Sequence, residues 1–150
     1  MELSLRKGSG ADMDECVKAL IHSELGKNYF KVGDSAAQAV KEGLESGNLY
    51  VAVTEGEFAG FLFYLPRGAF HGFPYLHLLV VKEAFRGRGV GSFMLDSWED
   101  LVDARKLFLC VSDFNSAAKR FYQAHGYQQV GEIPGLYREG IGECLMMKRR

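Results

Sequence analysis

The chain has 150 residues, 47% of them apolar and 25% charged, with a formal net charge of −1. That length suits one domain with a real core, and the near-zero charge excludes a nucleic-acid binder that works by bulk charge. The N-terminus MELSLRKGSG lacks the apolar stretch of a secretory signal, and no apolar run approaches the ~18 residues that span a bilayer.

In chain order, residues 3 to 6 alternate as a short strand. Met13, Val17, Leu20, Ile21 and Leu25 then recur at helical spacing in ADMDECVKALIHSEL. A second helix is capped by Asp34 or Ser35 and stopped by Gly47-Asn48. LYVAV and FAGFLFYL form a hairpin around TEGE, and Pro66 to Pro74 is expected as a loop. YLHLLVV is a strand, and the helix beyond it runs to about Ala104. KLFLCVS is a strand, NSAAKRFYQAH a helix stopped by Gly126, and YQQVGE a strand. IPGLYREGIG is expected as a loop before a final strand ECLMMKR. The order β-α-α-β-β-β-α-β-α-β-β predicts one α/β domain over 1–150, with a mixed sheet, a central βαβ crossover and helices on its faces.

Cys16, Cys110 and Cys144 are too widely spaced for a disulfide framework or a zinc pattern, and read as reduced thiols. The expectation is a cytoplasmic protein with no membrane, nucleic-acid or metal partner; pairing of two copies is left open.

The stretch VVKEAFRGRGVGSFML sets Gly87, Gly89 and Gly91 on alternate positions with Arg86 and Arg88 between them. Glycine at a helix start costs on the order of 1 kcal/mol against alanine. In return it bares the first backbone N–H groups of the helix, which lack internal partners and carry the positive end of the helix dipole. Such a junction suits a phosphate or pyrophosphate, and the arginines add charge. The alternative is a tight structural turn flanked by solvated arginines. No Gly-Lys-Ser/Thr follows, so the Walker pattern fails. Gly87-x-Gly89 begins the dinucleotide fingerprint and Asp113 stands about where its ribose-binding acid would, but Ser92 replaces the third small residue and only 37 residues follow Asp113, so that reading stays as the weaker alternative.

RGRGVG resembles the Arg/Gln-x-x-Gly-x-Gly/Ala signature of the GCN5-related N-acetyltransferases, through Arg86, Gly89 and Gly91. NSAAKRFYQAHGY is similar to that family's second motif: an Asn opening a helix, a Phe-Tyr pair, then Gly-aromatic. The resemblance covers roughly residues 75 to 127. It implies a mostly antiparallel sheet of six to seven strands with a splayed parallel pair in the middle. It implies acetyl-CoA as co-substrate, with its pyrophosphate on the backbone of Arg86, Gly87, Arg88, Gly89, Val90, Gly91 and Ser92. The pantetheine arm would pair with the strand at Leu79, Val80 and Val81. Asn115 would hydrogen-bond the cofactor.

Helical geometry puts Asn115, Lys119 and Tyr122 on one polar stripe, beside an apolar stripe of Phe114, Ala118, Phe121 and His125 expected to face the core. Lys119 is thus a candidate cofactor contact. Acetyl transfer to an amine expels a thiolate, which a protonated phenol can neutralise. The resemblance puts the family's acid at Tyr122; a purely structural tyrosine is the competing reading. The base is open between His77, Tyr75 on the same strand face, and ordered water. Some protein N-terminal acetyltransferases carry a Glu where this chain has Cys110. A covalent role for Cys110 is disfavoured, because no His or acid adjoins it. The acceptor amine, small-molecule or peptide, is expected among Glu24, Tyr29, Phe30, Asp34, Glu42 and Glu45 and the segments bearing Phe70, Phe73 and Tyr137. A non-catalytic acyl-CoA sensor is the reading from another class.

Overall fold

The computed structural model describes residues 1–30 and 33–150. Its elements are β1 (Leu3–Lys7), α1 (Met13–Ile21), α2 (Glu24–Tyr29), α3 (Ser35–Ser46), β2 (Leu49–Thr54), β3 (Glu57–Ala69) and β4 (Phe73–Val81). They continue with α4 (Val90–Leu101), β5 (Lys106–Ser112), α5 (Ser116–Ala124), β6 (Gln128–Arg138) and β7 (Ile141–Arg149). The seven strands follow the order β1-β2-β3-β4-β5-β7-β6. Neighbours are antiparallel at β1–β2, β2–β3, β5–β7 and β6–β7, and parallel at β4–β5. The parallel pair registers at two positions only, Tyr75 with Phe108 and Leu76 with Leu109. So short a ladder between strands of nine and seven residues fits the expected splay.

The chain forms two compact units: Met1–Tyr64 with Leu78–Val102, and Leu65–His77 with Asp103–Arg150. In the first, α4 shows how sequence dictates position. Val90, Met94, Leu95 and Trp98 are buried at helical spacing, each worth about 1.5–3 kcal/mol relative to exposure. Gly89 caps the helix in a left-handed conformation, φ 84°. In the second, β5 buries Leu107, Leu109 and Val111 on one face and turns Phe108, Cys110 and Ser112 to the other.

Several expectations change. The helix expected across ADMDECVKALIHSEL is two. Ser23 adopts an extended backbone and its hydroxyl accepts the N–H of Gly26, starting α2 afresh. The loop expected from Pro66 to Pro74 is strand at both ends. β3 runs through Pro66 to Ala69, and a tight turn at Phe70–Gly72 leads into β4. IPGLYREGIG likewise is mostly strand, the arms of the β6–β7 hairpin. α4 stops at Leu101, because Val102 turns extended and buries its side chain. The apolar stripe of α5 is not buried: no residue of the helix is, and Phe114 lies ahead of it, 44% exposed. Tyr127, just past the helix, fills the core instead at 1% exposure.

Among the described residues, no helix is long and apolar enough to cross a membrane. No group of three or more His, Cys, Asp or Glu among them is placed to hold a metal.

Candidate functional site

In the first unit, the chain leaves β4 through Lys82 and one 3-10 turn at Glu83–Phe85. Gly87 and Gly89 then take φ of 73° and 84°. Left-handed residues alternating with ordinary ones turn successive backbone N–H groups to a common side, a concavity for anions. A Cβ built on either glycine would meet nothing within 4 Å. What excludes a side chain there is therefore backbone conformation, not crowding. The first turn of α4 carries no acidic residue, so its dipole is open to a negative ligand.

The two arginines do different things. An Arg86 guanidinium nitrogen donates to the carbonyl of His22, the C-cap of α1, at 3.0 Å. Arg88 stacks its guanidinium 5.4 Å from the ring centre of Phe85. Both are exposed, so both retain charge at the loop. A cleft of about 450 Å³ adjoins this region, with Lys18, Lys82, Glu15 and Glu83 among its walls. Glu15 lies 3.4 Å from Lys82. Opposed charges on its walls make the cleft a weaker anion site than the glycine loop.

In the second unit, Asn115 is the N-cap of α5. Its Oδ1 accepts the N–H of Ala118 at 3.1 Å. The carboxamide oxygen is thus committed to the helix, and only the NH₂ group is left to meet a ligand. Lys119 donates to Gln129 Oε1 on β6. Tyr122 sits between aromatic rings, with centroids 5.1 Å from Phe121 and 5.8 Å from Tyr127. The rings around this half-buried residue withdraw its hydroxyl from water, which pushes its phenol up from the ordinary tyrosine value. Its hydroxyl makes no hydrogen bond among the described residues. An ordinary tyrosine is already protonated at neutral pH, and the upward push makes this phenol a weaker acid than most.

β4 alternates, with Pro74, Leu76, Leu78 and Val80 buried and Tyr75, His77, Leu79 and Val81 half-exposed. His77 and Tyr75 share a face, ring centres 6.2 Å apart. The Tyr75 hydroxyl is 2.9 Å from that of Tyr137 on β6. It also lies within reach of the Cys110 thiol. Burial pushes both the Tyr75 phenol and the Cys110 thiol up. A thiol so held is a poor nucleophile. Cys16 is fully buried, and burial pushes it up to about 12.

The acceptor residues expected from sequence divide between the units. Glu24 is in an exposed pair with Lys27 at 3.7 Å. Tyr137 belongs to β6, Phe73 to β4 and Phe70 to the turn between β3 and β4. Sequence reasoning passed over Glu143, which is 3% exposed and accepts the Ser112 hydroxyl at 3.1 Å. Its signal was an acid within an otherwise apolar strand, GECLMM, on the same face as Leu145 and Met147.

A seven-stranded mixed sheet, a short parallel pair and a left-handed glycine loop at the head of α4 together define an acetyltransferase domain. The profile of the acetyltransferase (GNAT) family matches residues 18–127, and the chain belongs to that family. An uncharacterized protein of Mycobacterium leprae is 30% identical over 93% of this chain and 38% of its own length. An uncharacterized N-acetyltransferase of Methanocaldococcus jannaschii is 30% identical over 67% of this chain and 65% of its own. The chain thus spans less than two thirds of either relative. Among solved structures, a GNAT-family acetyltransferase from Bacillus cereus superposes with a TM-score of 0.82 at 22% identity, covering 100% of this chain and 99% of the other. An aminoglycoside 6'-N-acetyltransferase complexed with coenzyme A gives 0.77 at 22%, covering 99% and 97%. At such identities the structural likeness is one of fold.

Proposed function

We propose that the chain is an acetyl-CoA-dependent N-acetyltransferase, a single catalytic domain over 1–150, that moves an acetyl group directly to a primary amine of a small molecule. The observation that carries this is the left-handed pair Gly87 and Gly89 at the head of α4, in a member of the acetyltransferase family.

The loop fits the co-substrate chemically. It offers bare N–H groups, a helix start without acids and two exposed arginines for a pyrophosphate. Acetyl-CoA, when bound, supplies an acetyl group activated as a thioester. The backbone of 86–92 would hold the phosphates. Leu79, Val80 and Val81 would offer strand backbone to the amide-bearing arm. The Asn115 NH₂ group would donate to the cofactor, and Lys119 would add positive charge.

Tyr122 would be the acid: like any tyrosine it is protonated at neutral pH, and its hydroxyl would deliver that proton as the thiolate leaves. His77, on the half-exposed face of β4, is the proposed base for the acceptor amine. Cys110, at the position where some protein N-terminal acetyltransferases carry a Glu, favours a small-molecule acceptor over a protein N-terminus.

Tyr122→Phe tests the assignment. It should lower kcat about 10²-fold or more in a thiol-release assay, while acetyl-CoA still raises Tm as in the wild type. Full activity in Tyr122→Phe would remove the acid role. A wild type stabilised by acetyl-CoA but inactive towards a broad amine and peptide panel would favour a sensor.

A further inference from the structure

One face of the second unit gathers side chains that no single stretch of sequence brings together. Tyr75 is level with Phe108 across the parallel pair, and Cys110 with Leu145 and Ser112 with Glu143 across the antiparallel one. Directly opposed residues share a face, as do residues two apart. Tyr75, His77, Phe108, Cys110, Ser112 and Glu143 therefore emerge on one side. Tyr137 joins them through its hydroxyl contact with Tyr75. The rings of Phe70 and Phe73 stand 5.5 Å and 5.6 Å from that of Phe108.

Two features of this face cost stability. Glu143 is a buried acid, and withdrawing a carboxylate from water is expensive even when it is hydrogen-bonded. Burial foremost pushes the Cys110 thiol and the Tyr137 phenol up, and Glu143 adds to that push across the face. The rim is strained as well. Phe70 and His71 both sit in the left-handed region, φ 53° and 62°. For non-glycine residues this costs about 1–2 kcal/mol each. Arg67 donates to the His71 carbonyl at 2.9 Å and steadies the turn. The strain holds Phe70, 68% exposed, edge-on to Phe108. An aromatic kept in the open at such a cost points to a ligand rather than to stability.

We propose that this face receives the acceptor amine in its ammonium form, with Glu143 as counter-charge and the Tyr75–Tyr137 hydroxyl pair as hydrogen-bond acceptors. Phe70, Phe73 and Phe108 then select acceptors that carry an apolar or aromatic group next to the amine. This rests on the acetyl-transfer reading above. An ammonium has three donors to place; a carboxylate and phenol oxygens accept them, and tyrosine ring faces attract the cation. The aromatic wall offers few hydrogen-bond partners, so hydroxyl-rich amines and diamines gain little there.

The test is thiol release from acetyl-CoA by the full chain, with phenethylamine, tryptamine and methioninamide set against ethanolamine, glycinamide and putrescine. The first three should show kcat/KM about tenfold higher or more. Glu143→Gln should raise KM for phenethylamine about tenfold while kcat changes by less than about threefold. Phe70→Ala should narrow the preference for phenethylamine over ethanolamine. If Glu143→Gln does not fold, Tyr137→Phe at its exposed position reads the same pair and should raise KM in the same direction. Equal kcat/KM across the two sets would overturn the selectivity. Unchanged KM in Glu143→Gln, or in Tyr137→Phe where that stands in, would overturn the anchor. A wild type that acetylates none of the six amines, yet gains Tm with acetyl-CoA, would overturn this proposal and leave the cofactor reading standing. No gain in Tm would remove that reading too.

Discussion

Arg6 and Asp12 show how one pair of side chains secures the start of the fold. The guanidinium donates to both carboxylate oxygens at 2.8 Å, and the N–H of Ser9 donates to Oδ2 at 2.9 Å. Hydrogen bonding from Arg6 foremost, with Ser9 helping, holds the Asp12 carboxyl below the usual carboxylate range against the opposing effect of burial. A folded-state pKa below the unfolded one means that the unfolded chain takes up the proton first. The stabilisation is therefore complete above the unfolded value, about 3.9, and is lost as pH falls through the lower folded value. Asp12→Asn should cost about 1–2 kcal/mol near neutrality, lowering Tm by a few degrees. Thermal melts should show that deficit constant above about pH 5 and shrinking below pH 4; a deficit unchanged down to pH 3 would contradict the linkage. Neither residue stands out in the sequence, because their meeting requires β1 and the turn after it to fold back on each other.

The glycine loop and α4 behave as one element, and its local signal is strong. Alternating glycines between a strand pattern and a helical apolar stripe are legible because each requirement is local: φ at Gly87 and Gly89, periodicity in Val90, Met94, Leu95 and Trp98. Gly89→Ala forces a side chain into the left-handed region, at about 1 kcal/mol. It should lower Tm by roughly 2–4 °C and weaken acetyl-CoA binding about tenfold if the bare N–H groups hold the phosphates. Melts with and without acetyl-CoA separate the two effects; a lower Tm with undiminished cofactor affinity would mean that the loop is only a turn. Elements whose ends depend on neighbours were less legible. Proline read as a loop marker at Pro66 and Pro134, yet both lie within strands, β3 and β6. Ser23 split one helical pattern into two because its side chain began a new helix, a choice the apolar spacing does not report.

At the scale of the whole chain, seven strands and five α-helices are described. Ligand linkage tests the chain as a folded entity. Acetyl-CoA at about a hundred times its Kd should add about 2.7 kcal/mol, raising Tm by roughly 5–10 °C for a domain of this size. A melting curve unmoved by saturating acetyl-CoA would argue against cofactor binding at the glycine loop. Strand count and the glycine loop followed from local pattern and propensity alone, and so did the element order except where Ser23 makes two helices of the expected first one. Those features answer to backbone conformation and periodicity, which neighbouring residues set. The face that joins Tyr75, Cys110, Tyr137 and Glu143 could not be read that way. Its members lie on four strands, and only the register of β4 on β5 and β5 on β7, with the β6–β7 hairpin, turns them to one side. Register is a long-range choice, made by which faces bury their apolar side chains. It is why an acid in GECLMM looked like one polar residue in a strand and proved to be a buried acceptor of the Ser112 hydroxyl on the face that carries Tyr75 and Cys110.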